Sequence, residues 1–227
     1  MKTTFPEQVR YQINQFIFEK GFAPTAHELA KLTNQTKEEV TTALHQLVEQ
    51  HALVLHPDST KIWIAHPFAL FPTLFWVTSG TPQKEKSWFS NCTWCSFGIA
   101  ALCQPEDTQI HTKLSGEKEA VTIHISNGEV LEKDWVVHFP IPAKKFWNNV
   151  VYTCANMLTF ESAEAVEEWC ARHQVTMGEI KPLPQVWELA KIWYGNYLSP
   201  DWSYKSVDYA HQLFEEVGFN SDFWRLD

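Results

Sequence analysis

The sequence predicts an α+β fold in which a winged-helix-like region of three helices precedes a mixed core of antiparallel strands and C-terminal helices. Three observations support this prediction. Residues 1–70 carry helical periodicity and capping signals, followed by two short β-rich runs around a turn. From Pro72 onward, short strand-like segments dominate. The last third of the chain returns to amphipathic segments with helix caps.

The first predicted helix has its apolar side chains on one face. Val9, Ile13, Phe16 and Ile17 follow one another at offsets of 4, 7 and 8 positions from the first. This spacing is typical of an amphipathic helix that packs against a core. Gly21 suits the C-terminal end of such a helix.

Two capping boxes predict the next two helices. They are Thr25–Glu28 and Thr36–Glu39, each with a threonine at the N-cap and a glutamate three positions later. The runs HALVLH and KIWIAH then flank a turn at residues 57–60. Three helices followed by a hairpin is the order of elements in a winged helix.

Charge argues against nucleic acid as the partner of this region. The candidate recognition helix, residues 37–50, holds Lys37 against three glutamates, and residues 1–70 hold six Lys or Arg against seven Asp or Glu. The whole chain has a formal charge of −9. Proteins that bind DNA usually bring Lys and Arg to its phosphates. We therefore predict that the winged helix is a packing or interaction module, and a transcription regulator ranks third among the possible functions.

The remainder of the chain predicts a second domain, 71–227, after a first domain of residues 1–70. The boundary is placed near residues 66–72, where two X-Pro pairs interrupt the pattern. The segments TQIHTKL and EAVTIHI alternate with period two around a turn and predict a hairpin. The segment CTWCSFGIAALC predicts a short buried helix, and Ser162, Pro184 and Ser206 open later helices.

The cellular compartment is predicted to be the cytoplasm. The sequence has no apolar run of about 18 residues, and its first residues lack an apolar signal region. We therefore expect no membrane contact. Five cysteines at irregular positions are expected to be reduced there, and Cys103 and Cys170 are assigned to packing.

The motif Asn91-Cys92-Thr-Trp-Cys95 carries the strongest chemical signal. With Asn91 as the N-cap, Cys92 and Cys95 lie on one face of the first helical turn, where backbone N–H groups favour thiolates. Such a pair is nucleophilic and suits soft metals. A single CxxC is also compatible with half of a zinc site, a redox pair or two buried core cysteines. Cys154, in an apolar stretch, is open to the same core interpretation.

The stretch NCTWCSFGIAAL, with YTCANMLTFESAEAVEEWCARH further along the chain, resembles the alkylmercury lyase (organomercurial lyase) family. The resemblance covers most of the chain and is most specific around Cys92 and between Cys154 and Trp169. It implies a winged-helix-like N-terminal region joined to an α+β lyase core. It also implies an enzyme that cleaves carbon–mercury bonds by protonolysis to a hydrocarbon and bound Hg(II).

In the family, two cysteines and one aspartate act together. Cys92 and Cys154 match the cysteine positions, whereas the aspartate position holds Cys95. The resemblance therefore implies that Cys92 and Cys154 bind mercury and that Cys95 either relays the proton or becomes a third ligand. It implies no required cofactor, with small cytosolic thiols removing the product. The alternative is a protein that binds or senses Hg(II), Cu(I) or another soft ion through the same three thiolates without turnover.

Overall fold

The computed structural model describes residues 3–81 and 84–227, which form an α+β fold. The α-helices of these residues are α1 (Phe5–Lys20), α2 (Ala26–Thr33), α3 (Lys37–Glu49), α4 (Thr93–Cys103), α5 (Val150–Ala155), α6 (Ala163–His173), α7 (Leu183–Tyr194) and α8 (Val207–Glu216). The strands are β1 (Leu53–Leu55), β2 (Ile62–Ala65), β3 (Phe68–Ala69), β4 (Phe75–Ser79), β5 (Lys86–Ser90), β6 (Thr108–Lys113), β7 (Ala120–Ser126), β8 (Glu129–Val130), β9 (Val136–Phe139), β10 (Thr159–Phe160) and β11 (Glu179–Pro182). Short 3₁₀ turns cover Leu114–Gly116, Ala143–Asn149 and Asp222–Trp224.

The N-terminal region has the predicted three helices and hairpin, and both predicted capping boxes are formed. The Thr25 hydroxyl accepts a hydrogen bond from the Glu28 backbone N–H at 3.2 Å, and the Glu28 carboxylate accepts one from the Thr25 N–H at 2.8 Å. Thr36 and Glu39 form the same pair of bonds. Each box satisfies backbone donors that a helix N-terminus leaves without partners.

One antiparallel sheet joins the N-terminal hairpin to the rest of the protein. Its strand order is β1-β2-β3-β5-β4-β6-β7-β8, and the predicted hairpin of β6 and β7 pairs Ile110 with Ile123. Buried side chains of both regions belong to one hydrophobic cluster. The domain boundary at residue 70 stays a prediction, but the sheet and the core continue across it.

Helix α4 lies in the centre of the molecule and packs against α7 on one side and the large sheet on the other. Nearly all of its side chains are buried. Its Gly98 allows α7 to approach closely, because a Cβ atom there would lie 2.7 Å from the Tyr194 ring and 3.0 Å from Pro67. The glycine therefore brings Tyr194 next to the start of α4.

A second sheet, with the order β10-β9-β11, contains a fully buried imidazole, His138. Burial lowers the pKa of His138 to about 4. Its Nε2 atom accepts a hydrogen bond from the Gly178 N–H at 3.0 Å, which requires that nitrogen to be unprotonated. The folded protein therefore holds this histidine in its neutral form.

We expect His138 to make the protein less stable as the pH falls from about 6.5 to about 4. The unfolded chain binds a proton with the ordinary histidine pKa, whereas the folded chain resists it until about pH 4. The loss in the free energy of unfolding is up to about 3 kcal/mol. Urea denaturation at a series of pH values measures it. His138→Gln should flatten this part of the pH profile, whereas His45→Gln, at an exposed position of α3, should leave it unchanged.

Among the helices of the described residues, none combines the length and the apolar character that crossing a bilayer requires.

Candidate active site

The first half of the site is formed where β5 ends and α4 begins. Cys92 itself, and not Asn91, is the N-cap of α4: its sulfur accepts a hydrogen bond from the Cys95 backbone N–H at 3.3 Å. The Asn91 side chain instead donates to the Pro67 carbonyl oxygen at 3.3 Å. The predicted N-cap was therefore one residue too early, because the contact with Pro67 holds the Asn91 side chain while its Oδ1 atom accepts no hydrogen bond from the described residues. Cys92 and Cys95 still face one another across the first turn.

The second half is Cys154, near the end of the short helix α5. Its thiol interacts with the side chains of Cys92 and Cys95, although 62 positions of sequence separate it from Cys92. All three cysteines are buried, with between 1% and 6% of their surfaces exposed. The fold therefore brings together the three cysteines that the sequence singled out.

His66, which the sequence analysis did not identify, completes the cluster. Its imidazole Nε2 lies 3.7 Å from the Cys154 sulfur. Metal-binding atoms of His66, Cys95 and Cys154 all lie within 4.8 Å of one another. In the sequence, the His66-Pro67 pair indicated only a domain boundary. A single histidine after a strand stands at no characteristic sequence distance from a CxxC motif, so no sequence pattern links His66 to Cys92 and Cys95.

Two aromatic side chains border the cluster. The Tyr194 hydroxyl of α7 lies 3.9 Å from the Cys95 sulfur. The Trp147 ring lies 5.3 Å from the His66 ring and stacks on His51 at 4.7 Å. These rings limit the access of water to the sulfur atoms and thereby strengthen electrostatic interactions among them.

The three thiols differ in how readily they lose a proton. Burial raises the pKa of Cys95, but hydrogen bonds from the Cys154 and Cys92 thiols, with help from His66 and Tyr194, outweigh it and hold this pKa well below its usual range. Burial raises the pKa of Cys92. Hydrogen bonding to Cys92 and Cys95, followed by burial, raises that of Cys154. The cluster thus favours a single thiolate at Cys95, hydrogen-bonded by two thiols. Burial also lowers the pKa of His66 and so favours a neutral imidazole.

A cavity of about 390 Å³ opens onto this cluster. Cavities of roughly 300–1,000 Å³ are typical of small-molecule sites. Aromatic side chains make up much of its wall, and Cys92, Cys95, Cys154 and His66 all line it. Within the described part of the chain, no aspartate or glutamate lines this cavity. No carboxylate of these residues therefore takes the place of the aspartate that the resemblance implies for position 95.

The other two cysteines lie outside the cavity. Burial raises the pKa of Cys103, at the end of α4, to about 11. Cys170 lies on α6, 3.9 Å from His138. Neither side chain is among the residues that line the cavity. Their positions agree with the packing role that the sequence suggested.

The α+β fold places three buried thiols and an imidazole around a small aromatic cavity, and such a donor set suits soft metal ions. The family model for alkylmercury lyase matches residues 68–195, more than half of the chain. The chain therefore belongs to the alkylmercury lyase family, which is a family of enzymes, as the sequence motifs predicted.

The fold is also similar to that of a solved structure, the mercury-bound form of MerB2. The TM-score is 0.64 and the sequence identity 19%, and the match covers 86% of this chain and 100% of the other. At this identity the likeness establishes the fold. A comparison with curated proteins gave no significant match.

Proposed function

We propose that this protein cleaves carbon–mercury bonds by thiol-assisted protonolysis, giving a hydrocarbon and Hg(II). The observation that carries the proposal is the meeting of Cys92, Cys95 and Cys154 in one buried cavity. Mercury is a soft ion, and thiolates suit it better than oxygen or nitrogen ligands do. Membership of the alkylmercury lyase family gives independent support.

Mercury capture begins with a proton transfer inside the cluster. As the Cys92 sulfur bonds to the mercury of an organomercurial, its proton passes to the Cys95 thiolate, and the ligand that mercury carried leaves as an anion. The Cys95 thiolate suits this task, because hydrogen bonds from two neighbouring thiols lower its pKa. A base within hydrogen-bond reach is the usual means of activating a sulfur nucleophile.

Cleavage returns that proton to carbon. Electron donation from sulfur makes the mercury-bound carbon more basic. Cys95 protonates the carbon as the carbon–mercury bond breaks and leaves both bonding electrons on carbon. Cys154 then bonds to mercury and gives its proton to His66, whose Nε2 lies 3.7 Å from the Cys154 sulfur. The products are the hydrocarbon and Hg(II) held by two thiolates, and small thiols remove the ion.

A second candidate function is mercury capture without turnover. It is favoured by the donor set itself: His66, Cys95 and Cys154 can all reach one ion, and Cys92 adds a fourth donor. If Cys95 bound the mercury instead of relaying a proton, Hg(II) would remain in the site. A sensor or scavenger of soft ions needs such retention.

The deciding experiment is the incubation of the reduced protein with phenylmercuric acetate in excess 2-mercaptoethanol, with benzene measured by gas chromatography. We expect more than one equivalent of benzene per protein. Tight uptake of mercury with no benzene would support the capture function instead and would overturn the lyase proposal.

A further inference from the structure

The cavity beside the thiols is positively charged, although the protein as a whole carries a formal charge of −9. Arg10, Lys144 and Lys205 line it, and within residues 3–81 and 84–227 it has no acidic lining residue. A charge of this sign in an acidic protein is unexpected unless something negative occupies the cavity. Clefts lined by one sign of charge concentrate ligands of the opposite sign.

Arg10 is the most unusual of these residues. It lies on α1 with only 4% of its surface exposed. Its guanidinium carbon lies 4.1 Å from the ring centre of Tyr197 and 3.4 Å from that of Trp202, and the planes of these two rings are inclined at 72°. Its Nη1 and Nη2 atoms have no hydrogen-bond partner in the part of the chain that the structure describes. The carboxylate of Glu7, one turn earlier, is engaged by Thr4 in the capping box of α1.

Glu7 attracts Arg10 electrostatically, but no carboxylate of the described residues forms an ion pair with the guanidinium. A buried cation without such a partner is costly, because its N–H groups have lost water and gained no acceptor. Contact with aromatic rings offsets part of this cost, but it does not supply hydrogen-bond acceptors to the N–H groups. Further donors on the cavity wall also lack partners among the described residues, namely Trp94 Nε1, Trp202 Nε1 and Tyr204 Oη. This part of the cavity wall therefore holds several donors without partners and no carboxylate among the described residues.

Lys205 reinforces this imbalance. Its Nζ atom lies over the rings of Trp193 and Tyr197, each at 5.1 Å. Burial, together with repulsion from Arg10, lowers its pKa to about 8. Two cations thus face the same aromatic group of side chains, and a bound anion would relieve their repulsion.

We propose that Arg10 and Lys205 form a carboxylate-binding subsite of the organomercurial cavity. The subsite adjoins the thiols through two rings: the Tyr194 hydroxyl lies near Cys95, and the Tyr194 ring contacts that of Tyr197, at 4.8 Å, which covers Arg10. The planar guanidinium fork matches a carboxylate. This inference rests on the proposed function, since the carboxylate belongs either to the organic group of the mercurial or to a small thiol bound to its mercury.

The test compares paired ligands that differ in one charge. Equilibrium binding is followed by tryptophan fluorescence, so that the result does not depend on turnover. In the first arm, the protein competes with 2-mercaptoethanol for 4-carboxyphenylmercury or for its neutral 4-carbamoyl analogue. In the second arm, phenylmercury is presented with 3-mercaptopropionate or with 2-mercaptoethanol. In one arm or in both, we expect the ligand that carries the carboxylate to bind about tenfold more tightly or better than its neutral partner. Loss of a charge-assisted hydrogen bond in a dry site would cause a difference of this size. The arm that shows the preference identifies the source of the carboxylate.

Arg10→Gln should remove this preference, and Lys205→Met should reduce it. The control is Lys86→Met, because Lys86 also lies over an aromatic ring, that of Phe18, but does not line the cavity. Thermal unfolding of each variant reports on folding, and Lys205→Met keeps the proposal testable if Arg10→Gln does not fold.

Equal binding of the charged and neutral ligands to the unmodified protein would overturn the proposal. So would an equal loss of both in Arg10→Gln, which would assign Arg10 to packing alone. Failure of the lyase proposal would be seen in a different measurement, because the protein would then bind phenylmercury without releasing benzene.

Discussion

Cys92→Ser is expected to lower the rate of benzene release by about three orders of magnitude or more, as removal of a nucleophile does in other enzymes. A serine hydroxyl is a hard, poorly ionised donor and does not replace a thiolate on mercury. Single-turnover release of benzene from phenylmercuric acetate measures the loss.

The same substitution should leave the fold intact, because position 92 is the N-cap of α4. Serine is among the preferred N-cap residues, so its hydroxyl can accept the Cys95 N–H in place of sulfur. The midpoint of thermal unfolding should stay constant or rise slightly. Cys103→Ser, at the other end of the same helix and outside the cavity, is the control and should retain activity. Undiminished turnover by Cys92→Ser would contradict our assignment of the mercury-binding thiol.

Cys95→Asp is expected to keep a turnover rate within about tenfold of that of the unmodified protein, or to exceed it. Cys95→Ala should lower the turnover rate by about 10²–10⁴-fold, which is the usual contribution of a proton-transfer group. An aspartate at this position would accept hydrogen bonds from the Cys92 and Cys154 thiols, as the Cys95 thiolate does. It would also be the first carboxyl group among the described residues of the cavity wall. Multiple-turnover benzene release, measured beside mercury retention, tests both variants.

Cys95→Asn provides the matched control, because it keeps the shape of aspartate but cannot carry the proton. It should behave like Cys95→Ala. A complete loss of turnover in Cys95→Asp would argue against proton relay at this position. If Cys95 is instead a mercury ligand that traps the product, Cys95→Asp should release Hg(II) to external thiols faster than the unmodified protein does, without a change in benzene yield.

The sequence by itself determined much of the local structure and singled out the three cysteines of the candidate site. Capping boxes at Thr25 and Thr36 place the helix starts correctly, because a cap involves only residues three positions apart. The hairpin of β6 and β7 follows from the period-two alternation of its side chains. The spacing of Cys92 and Cys95 placed both sulfurs on one helical turn by the same short-range geometry.

The tertiary structure alone decided which distant groups meet these sulfurs. His66, Tyr194 and Arg10 reach the cavity from the residue after β2, from α7 and from α1 respectively, and no local pattern relates those positions to Cys92. The tertiary structure likewise holds the Asn91 side chain against Pro67, and Cys92 is the N-cap of α4. Such placements depend on how helices and sheets pack, which is set by side chains throughout the core. Short-range signals therefore single out the cysteines of the site, and long-range packing determines which other side chains surround them.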